Sequence, residues 1–228
     1  MNAKKQVFFL HFAGGSAYSY DFLKKKLPDY DIQQMELPGR GKRVAEPMVE
    51  NMQSAIDDYR RQILQRMNGQ PFLVYGHSMW AVIGAYLTSE LEHLKHFPRK
   101  LIVSGNPGPG CYEHKKRYLL PKDEFLLELK EMGGMPDDFF THEGLVDYFI
   151  PILKSDFKVL EGEPDRSFTP LKTSILALMG DEEEKVNLID NWKKHTASDC
   201  QIHILKGKHF FIHDHATRIA QLIQQSFA

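Results

Sequence analysis

Short apolar runs alternate with stretches of helical periodicity along the first part of the chain. Residues 7–10, 32–37 and 71–75 predict three buried strands. Between the second and third strands, apolar residues recur at spacings of three and four, which places them on one face of a helix. These residues are Met52, Ile56, Tyr59, Ile63 and Met67. The sequence therefore predicts strands separated by helices, with Asn68-Gly69 closing the first long helix.

The same alternation continues to the end of the chain. The remaining predicted elements are a helix at 79–91, strands at 101–103, 175–178 and 202–205, and a terminal helix built on Ile219, Leu222 and Ile223. The strands are apolar throughout rather than alternately apolar and polar, so both of their faces should be covered. We expect an α/β fold with a mostly parallel sheet and helices on both faces.

One segment, at about 112–170, breaks this rhythm. It is helical in character and carries the sequence Met-Gly-Gly-Met-Pro at 132–136. We interpret it as a helical insertion over one end of the sheet, either a lid or an ordinary helical subregion. Because the chain has no Ser/Gly-rich linker and no internal repeat, residues 1–228 are expected to form a single domain.

Composition and charge narrow the class of protein. The 228 residues include 29 Lys and Arg against 30 Asp and Glu, a net charge of -1, which gives no reason to expect binding to nucleic acid or a membrane surface. Two cysteines are too few for a disulfide framework. The apolar run at 7–10 is too short for a signal peptide or a membrane span. We expect a cytoplasmic monomer.

The first candidate for chemistry is Ser78. Residues 76–80 read Gly-His-Ser-Met-Trp, at the point where a predicted strand gives way to a helix. A serine on such a turn is a nucleophile elbow, in which the next backbone N–H, here that of Met79, points at a developing oxyanion. A solvated serine in an ordinary turn is the alternative.

A nucleophilic serine needs a histidine base and a carboxylate that orients it, in the chain order serine, acid, histidine. His209 is the best placed histidine, since it lies between the last strand and the last helix. The acid should follow the strand at 175–178, where both Asp181 and Glu183 are available. His77 adjoins the serine, but its side chain is expected to point away from it.

A metal site is the rival interpretation of the C-terminal histidines. His209, His213 and His215 lie close to Asp214 in the sequence. However, residues 213–215 directly precede the terminal helix, where Asp214 would serve as an N-cap. No zincin signature or paired-cysteine motif accompanies them, so we expect no metal.

Several separated motifs together resemble the type II thioesterases, stand-alone α/β-hydrolases that accompany non-ribosomal peptide and polyketide synthases. The resemblance extends over roughly 7–223. It is carried by Phe-Ala-Gly-Gly-Ser at 12–16, Leu-Pro-Gly-Arg-Gly-Lys-Arg at 37–43, the elbow at 76–79, residues 132–136, Ile150-Pro151, Ser155-Asp156, and the loops at 180–186 and 207–210.

The resemblance implies roles for particular residues. Ser78 would be the nucleophile and His209 the base, with the backbone N–H groups of Ala13 and Met79 as oxyanion donors. Glu183 stands at the acid position, where the family usually has Asp, and Asp181 is the fallback.

The substrate would be an acyl group on the phosphopantetheine arm of a carrier protein, with no cofactor needed. Such partners tend to be acidic, which makes the basic residues at 24–26 and 115–117 candidate contacts, although ordinary solvated lysines look the same.

Trp80 departs from the elbow pattern, which ends in glycine. An indole there is strained unless a matching space exists. The site could be repacked and active, or impaired, which would leave a protein that binds carrier proteins or acyl chains. A general carboxylesterase or a medium-chain acyl thioesterase would share Ser78 and His209. From the sequence we expect Trp80→Gly to fold and to preserve or raise turnover.

Overall fold

Six strands form one parallel sheet in the order β2-β1-β3-β4-β5-β6. The computed structural model describes residues 3–111, 115–133, 135, 137–162, 166–167 and 169–228. The strands are β1 (Gln6–Leu10), β2 (Asp31–Met35), β3 (Phe72–His77), β4 (Lys100–Ser104), β5 (Ile175–Gly180) and β6 (Cys200–Leu205). The predicted parallel α/β sheet is confirmed.

Helices occupy the segments between the strands. They are α1 (Asp21–Lys24), α2 (Met52–Arg66), α3 (Met79–His93), α4 (Lys122–Met132), α5 (Asp137–Thr141), α6 (Glu143–Glu161) and α7 (Ala216–Gln225), with 3₁₀ segments at Gly41–Arg43, Arg117–Leu119 and Val186–His195. The predicted cap of α7 is wrong. The turn that precedes α7 runs one residue further, so His215 rather than Asp214 occupies the N-cap position.

The two faces of the sheet carry separate apolar clusters, because successive side chains of a strand point to opposite sides. In β1, Phe8 and Leu10 pack with α2 and α3, whereas Val7 and Phe9 pack with α1 and α7. Helix α3 is buried along nearly its whole length. Burial on both sides explains why the strands are apolar throughout.

The strand β2 ends at Met35, two residues earlier than predicted. The next residue, Glu36, turns its carboxylate toward the backbone of two loops, where it accepts hydrogen bonds from the N–H groups of Ala17 at 3.0 Å and Lys42 at 2.9 Å. Glu36 is only 4% exposed, so these bonds replace the water that the carboxylate has lost. The loop after β2 is thereby tied to the loop after β1.

Helices α4, α5 and α6 lie between β4 and β5, within the segment for which an insertion is predicted. Phe125 of α4 packs edge-on against Phe157 of α6, with the ring centroids 5.5 Å apart. Tyr112, Gly134 and Pro136, which belong to that prediction, lie outside the described residues, and the role of a lid stays a prediction. No helix in the described part of the chain has the length and apolar character needed to span a bilayer.

Candidate active site

Ser78 lies on a strained turn between β3 and α3. Its backbone has φ 59° and ψ -134°, a region that residues with a side chain rarely adopt. The turn is tight on its inner side, because a Cβ atom placed on Gly76 would lie 2.2 Å from the Trp80 carbonyl oxygen. The Ser78 N–H donates to the Ser104 carbonyl at 2.8 Å. This geometry is that of a nucleophile elbow, and it holds the serine at the carboxyl edge of the sheet.

His209 links the serine to a carboxylate. Its Nδ1–H donates to Glu183 Oε2 at 2.8 Å, since an ionised carboxylate can only accept. With a proton on Nδ1, the Nε2 atom is the acceptor of this tautomer, and the Ser78 hydroxyl donates to it at 2.9 Å. The structure brings together Ser78, Glu183 and His209 from three loops, in the geometry that general-base catalysis by serine hydrolases requires.

The two candidate acids have different partners. Glu183 contacts His209, and its other oxygen, Oε1, accepts the Gly180 N–H at 2.9 Å. Asp181 instead accepts the Gly207 N–H at 2.7 Å, which braces the loop that carries His209. Both carboxylates thus support the histidine, one by contact with the ring and the other through the backbone.

His77 packs beside His209 rather than against the serine. Its ring centroid lies 4.9 Å from that of His209, and its Nδ1 forms a 2.8 Å hydrogen bond with the Ser104 hydroxyl. Burial, together with the nearby His209, lowers the pKa of His77 well below its ordinary value. Gly105 makes room for both rings, because a Cβ atom there would lie 2.6 Å from His77 and 3.2 Å from His209. Sequence reasoning missed Ser104 and Gly105, although they directly follow a predicted strand.

The predicted oxyanion donors belong to neighbouring strands. Ala13 follows β1, and Met79 is the first residue of the helix after β3. Because β1 and β3 pair in parallel, both amides lie at the same edge of the sheet as Ser78. Among the described residues, nothing accepts a hydrogen bond from the Ala13 N–H. The oxyanion role of the two amides stays a prediction.

Trp80 occupies a fitted space in the interior. Its side chain is fully buried, and its Nε1–H donates to the Tyr59 hydroxyl at 2.6 Å. One face of the indole packs against the His11 ring, with the centroids 4.6 Å apart. The side chain therefore lies between the end of β1 and α2. The position in the elbow that requires a small residue is Gly76, not residue 80.

The C-terminal histidines point to different partners. His213 packs against the ring of Phe22 at 4.4 Å between centroids, and the Nε2–H of His215 donates to the Lys206 carbonyl at 2.8 Å. Within the described ranges, no three His, Cys, Asp or Glu side chains converge on a point that could hold a metal ion.

Similarity to known proteins extends over nearly the whole chain. Residues 5–227 match the Thioesterase domain family. Linear gramicidin dehydrogenase LgrE of Brevibacillus parabrevis is 30% identical over 240 residues, 99% of this chain and 89% of that protein. The medium-chain S-acyl fatty acid synthase thioesterase of Anas platyrhynchos is 29% identical over 187 residues, 79% and 74% of the two chains. The structure of BorB, a type II thioesterase from the borrelidin biosynthetic cluster, matches with a TM-score of 0.90 and 26% identity over 100% and 94%.

Proposed function

The chain belongs to the thioesterase family, and from that premise we propose that it hydrolyses acyl groups from the phosphopantetheine arm of carrier proteins. The observation that carries the proposal is the hydrogen-bonded series Ser78–His209–Glu183, with distances of 2.9 and 2.8 Å. The type II thioesterase BorB, which comes from a biosynthetic cluster, supports this substrate class.

In the proposed reaction, Ser78 Oγ attacks the thioester carbonyl while its proton passes to His209 Nε2. Glu183 stabilises the imidazolium that forms. The oxyanion accepts hydrogen bonds from the backbone N–H groups of Ala13 and Met79, each worth about 3–4 kcal/mol in the transition state. The C–S bond then breaks, and His209 returns the proton to the departing thiolate.

The second half of the reaction uses the same groups. His209 takes a proton from a water molecule, which attacks the acyl-Ser78 carbonyl. Collapse of the second tetrahedral intermediate returns that proton to Ser78 Oγ and releases the carboxylic acid. None of these steps calls for a cofactor.

A medium-chain fatty acyl thioesterase is the second candidate function, favoured by the 29% identity to the Anas platyrhynchos enzyme. The word dehydrogenase in the name of LgrE suggests another reaction. In this chain the loop after β1 reads Phe-Ala-Gly-Gly-Ser at 12–16, without the Gly-x-Gly-x-x-Gly pattern of dinucleotide-binding dehydrogenases. We therefore retain hydrolysis of a thioester.

The proposed partner is an acylated, acidic carrier protein. Of the two basic clusters, Lys24–Lys26 is exposed throughout and suits such a contact, whereas the second is exposed at Lys115 and Lys116. Arg117 of the second cluster is turned inward, where it pairs with Glu128 and Glu161. Action as a cytoplasmic monomer belongs to the same proposal and accords with the two free cysteines.

The test compares hydrolysis of an acylated carrier protein, the matching acyl-CoA and a p-nitrophenyl ester of the same acyl chain. We expect kcat/KM to be at least about 10-fold higher for the carrier protein, because docking of the protein partner adds binding energy in the transition state. Mass spectrometry of the carrier protein before and after incubation identifies the product. Equal or faster turnover of acyl-CoA would favour the second candidate, and faster turnover of the simple ester would favour a general carboxylesterase.

A fluorophosphonate probe separates an enzyme from a binding protein. We expect one covalent label, on Ser78, and no label in the Ser78→Ala variant. A folded protein that stays unlabelled would contradict the proposed reaction.

A further inference from the structure

The loop after β1 is held by helix α6. The Gly14 N–H donates to Asp156 Oδ2 at 2.8 Å, a contact between residues 142 positions apart. Leu153, one helical turn before Asp156, lies against the same glycine, since a Cβ atom on Gly14 would approach Leu153 Cδ2 to 2.9 Å. Helix α6 therefore covers the loop with one apolar and one charged side chain.

The Asp156 carboxylate is itself fixed by Arg40. The two guanidinium nitrogens Nη1 and Nη2 donate to Oδ2 and Oδ1 at 2.7 and 2.6 Å. The side chains are 2% and 0% exposed, so water does not compete for them. Desolvation acts to lower the pKa of Arg40, but the adjacent Asp156 carboxylate outweighs it and raises that pKa. Loss of either partner would leave a buried charge unpaired.

Glycines on either side of Arg40 shape the segment that delivers it. Gly39 has φ +83° and Gly41 has φ +48°, the left-handed region that favours glycine. A Cβ atom on Gly41 would also lie 2.0 Å from Glu36 Oε1, the carboxylate that holds the Ala17 and Lys42 amides. The backbone conformation of the Pro-Gly-Arg-Gly segment at 38–41 therefore places the Arg40 side chain against Asp156.

These contacts set the conformation of the turn at 12–15. The Gly15 N–H donates to the Phe12 carbonyl at 2.7 Å and Gly14 has φ +69°, which together define a type II turn. His11 Nδ1–H also donates to the Phe12 carbonyl, at 2.9 Å. Because Phe12 C=O and Ala13 N–H belong to one planar peptide group, fixing that carbonyl aims the Ala13 N–H away from the turn.

Asp156 holds the next peptide group of the turn, the middle one, which joins Ala13 to Gly14. It does so by accepting the Gly14 N–H. Rotation of this middle group would change ψ of Ala13 and φ of Gly14 and would strain the Gly15-to-Phe12 hydrogen bond, which orients the peptide group that carries the Ala13 N–H. We propose that Asp156, with Arg40 as its counterion, is a positioning residue that holds the Ala13 amide in place to receive the oxyanion. This inference rests on the proposed function for its reaction, but its test also works for any other acyl substrate of Ser78.

The test compares Asp156→Asn with a matched control, Glu161→Gln. Glu161 lies on the same helix, is 2% exposed, and likewise binds an arginine, Arg117, together with the backbone N–H of that residue, at 2.7 Å. An asparagine cannot keep all three hydrogen bonds, because an oxygen at the Oδ2 position, which accepts from Gly14 and Arg40 Nη1, would set the Nδ2 amino group against Arg40 Nη2, a donor against a donor. We expect Asp156→Asn to lower kcat by about 10–100-fold with KM changed by less than about 3-fold, and Glu161→Gln to change kcat by less than about 3-fold.

A trifluoromethyl ketone substrate analogue gives a readout that stability alone would not move. Its adduct with Ser78 carries an oxyanion, so in the wild type the amide proton resonances of Ala13 and Met79 should both move downfield on binding. In Asp156→Asn the shift of Ala13 should shrink while that of Met79 persists, and the affinity for the ketone should fall by the same factor as kcat. In Glu161→Gln both shifts should persist.

A second variant tests the same contact in case Asp156→Asn does not fold. Arg40→Met combined with Asp156→Leu replaces the ion pair by apolar side chains, a change that is often tolerated in protein interiors, and still removes the acceptor of Gly14. If neither variant folds, hydrogen exchange of the Gly14 amide in the wild type decides the question, because the bond to Asp156 should protect it. Wild-type kcat in a folded variant, an equal loss in Glu161→Gln, or rapid exchange of Gly14 would overturn the inference. An inactive wild type that still forms the ketone adduct with both shifts would overturn only the proposed substrate.

Discussion

Two groups of polar side chains in this molecule differ in how they are hydrogen-bonded and in how far they are buried. In the triad of Ser78, His209 and Glu183, single hydrogen bonds join loops, and the His209 side chain is 26% exposed. In the pair of Arg40 and Asp156, two parallel hydrogen bonds join side chains that are almost fully buried. A group that exchanges protons with a substrate must be reachable, whereas a group that only fixes geometry acts best where water is excluded. The difference fits the chemistry proposed for the first set and the supporting role proposed for the second.

The largest expected effect is a loss of kcat, and it should distinguish Glu183, which contacts His209, from Asp181, which braces the loop that carries His209. Glu183→Gln should lower kcat by about 10³–10⁴-fold, because a neutral amide stabilises the imidazolium poorly and can select the wrong tautomer of His209. Asp181→Asn should cost less than about 10-fold, since its amide oxygen can still accept the Gly207 N–H at the position that Asp181 Oδ1 occupies. Steady-state kinetics on one acyl substrate measures both.

The reverse order of these two losses would break the comparison, because Asp181 would then be the acid that acts on His209. Circular dichroism and thermal unfolding of both variants serve as controls that the loops at 180–186 and 207–210 remain folded.

Substitution of Trp80 in the interior should lower the free energy of unfolding more than it lowers kcat. Trp80→Gly removes a fully buried indole, at a cost of about 3–5 kcal/mol for the cavity and about 1 kcal/mol more for glycine in a helix. The structure therefore adds a cost in stability to the expectation from sequence that this variant folds and preserves or raises turnover. Urea unfolding measures the loss, and kcat per folded molecule should fall far less than in Glu183→Gln.

Trp80→Phe is the matched control, since it keeps a ring against His11 and loses the hydrogen bond to Tyr59. It should cost about 1–3 kcal/mol. If Trp80→Gly proved as stable as the parent protein, the indole would not be a tightly packed part of the core.

The smallest effect concerns pH. Burial, with help from the charge of Arg40, lowers the pKa of His11 well below its ordinary value, so the folded protein keeps this ring neutral. Below about pH 6.5 the unfolded chain gains a proton that the folded chain does not. The free energy of unfolding should therefore fall as pH decreases, by at most about 1.4 kcal/mol per pH unit for this group, and level off above pH 6.5.

His11→Gln should remove this component while keeping a donor for the Phe12 carbonyl. The control is His93→Gln, because His93 is exposed to water. Unfolding by urea at pH 5, 6, 7 and 8 gives the slopes. An unchanged slope in His11→Gln would mean that the buried ring does not resist protonation.

Much of the fold could be read from local patterns. The six apolar runs predicted strands, and the structure places a strand at each of them, because burial on both sides demands apolar side chains at every position. The elbow was equally local, since a strand, a sharp turn and a helix must follow one another around Ser78. The N-cap of α7 was misplaced by one residue, because several polar residues in a row leave the start of a helix ambiguous.

The sequence by itself thus determined the layered α/β architecture and the serine at the edge of the sheet, because both depend on the order and period of neighbouring residues. Only the tertiary structure decided which carboxylate meets His209, since Asp181 and Glu183 lie two residues apart in one turn and differ in direction. It also decided that Trp80 fits, because the space is made by His11 and Tyr59 from other elements. Contacts over such separations depend on how helices pack on the sheet, which no local pattern records.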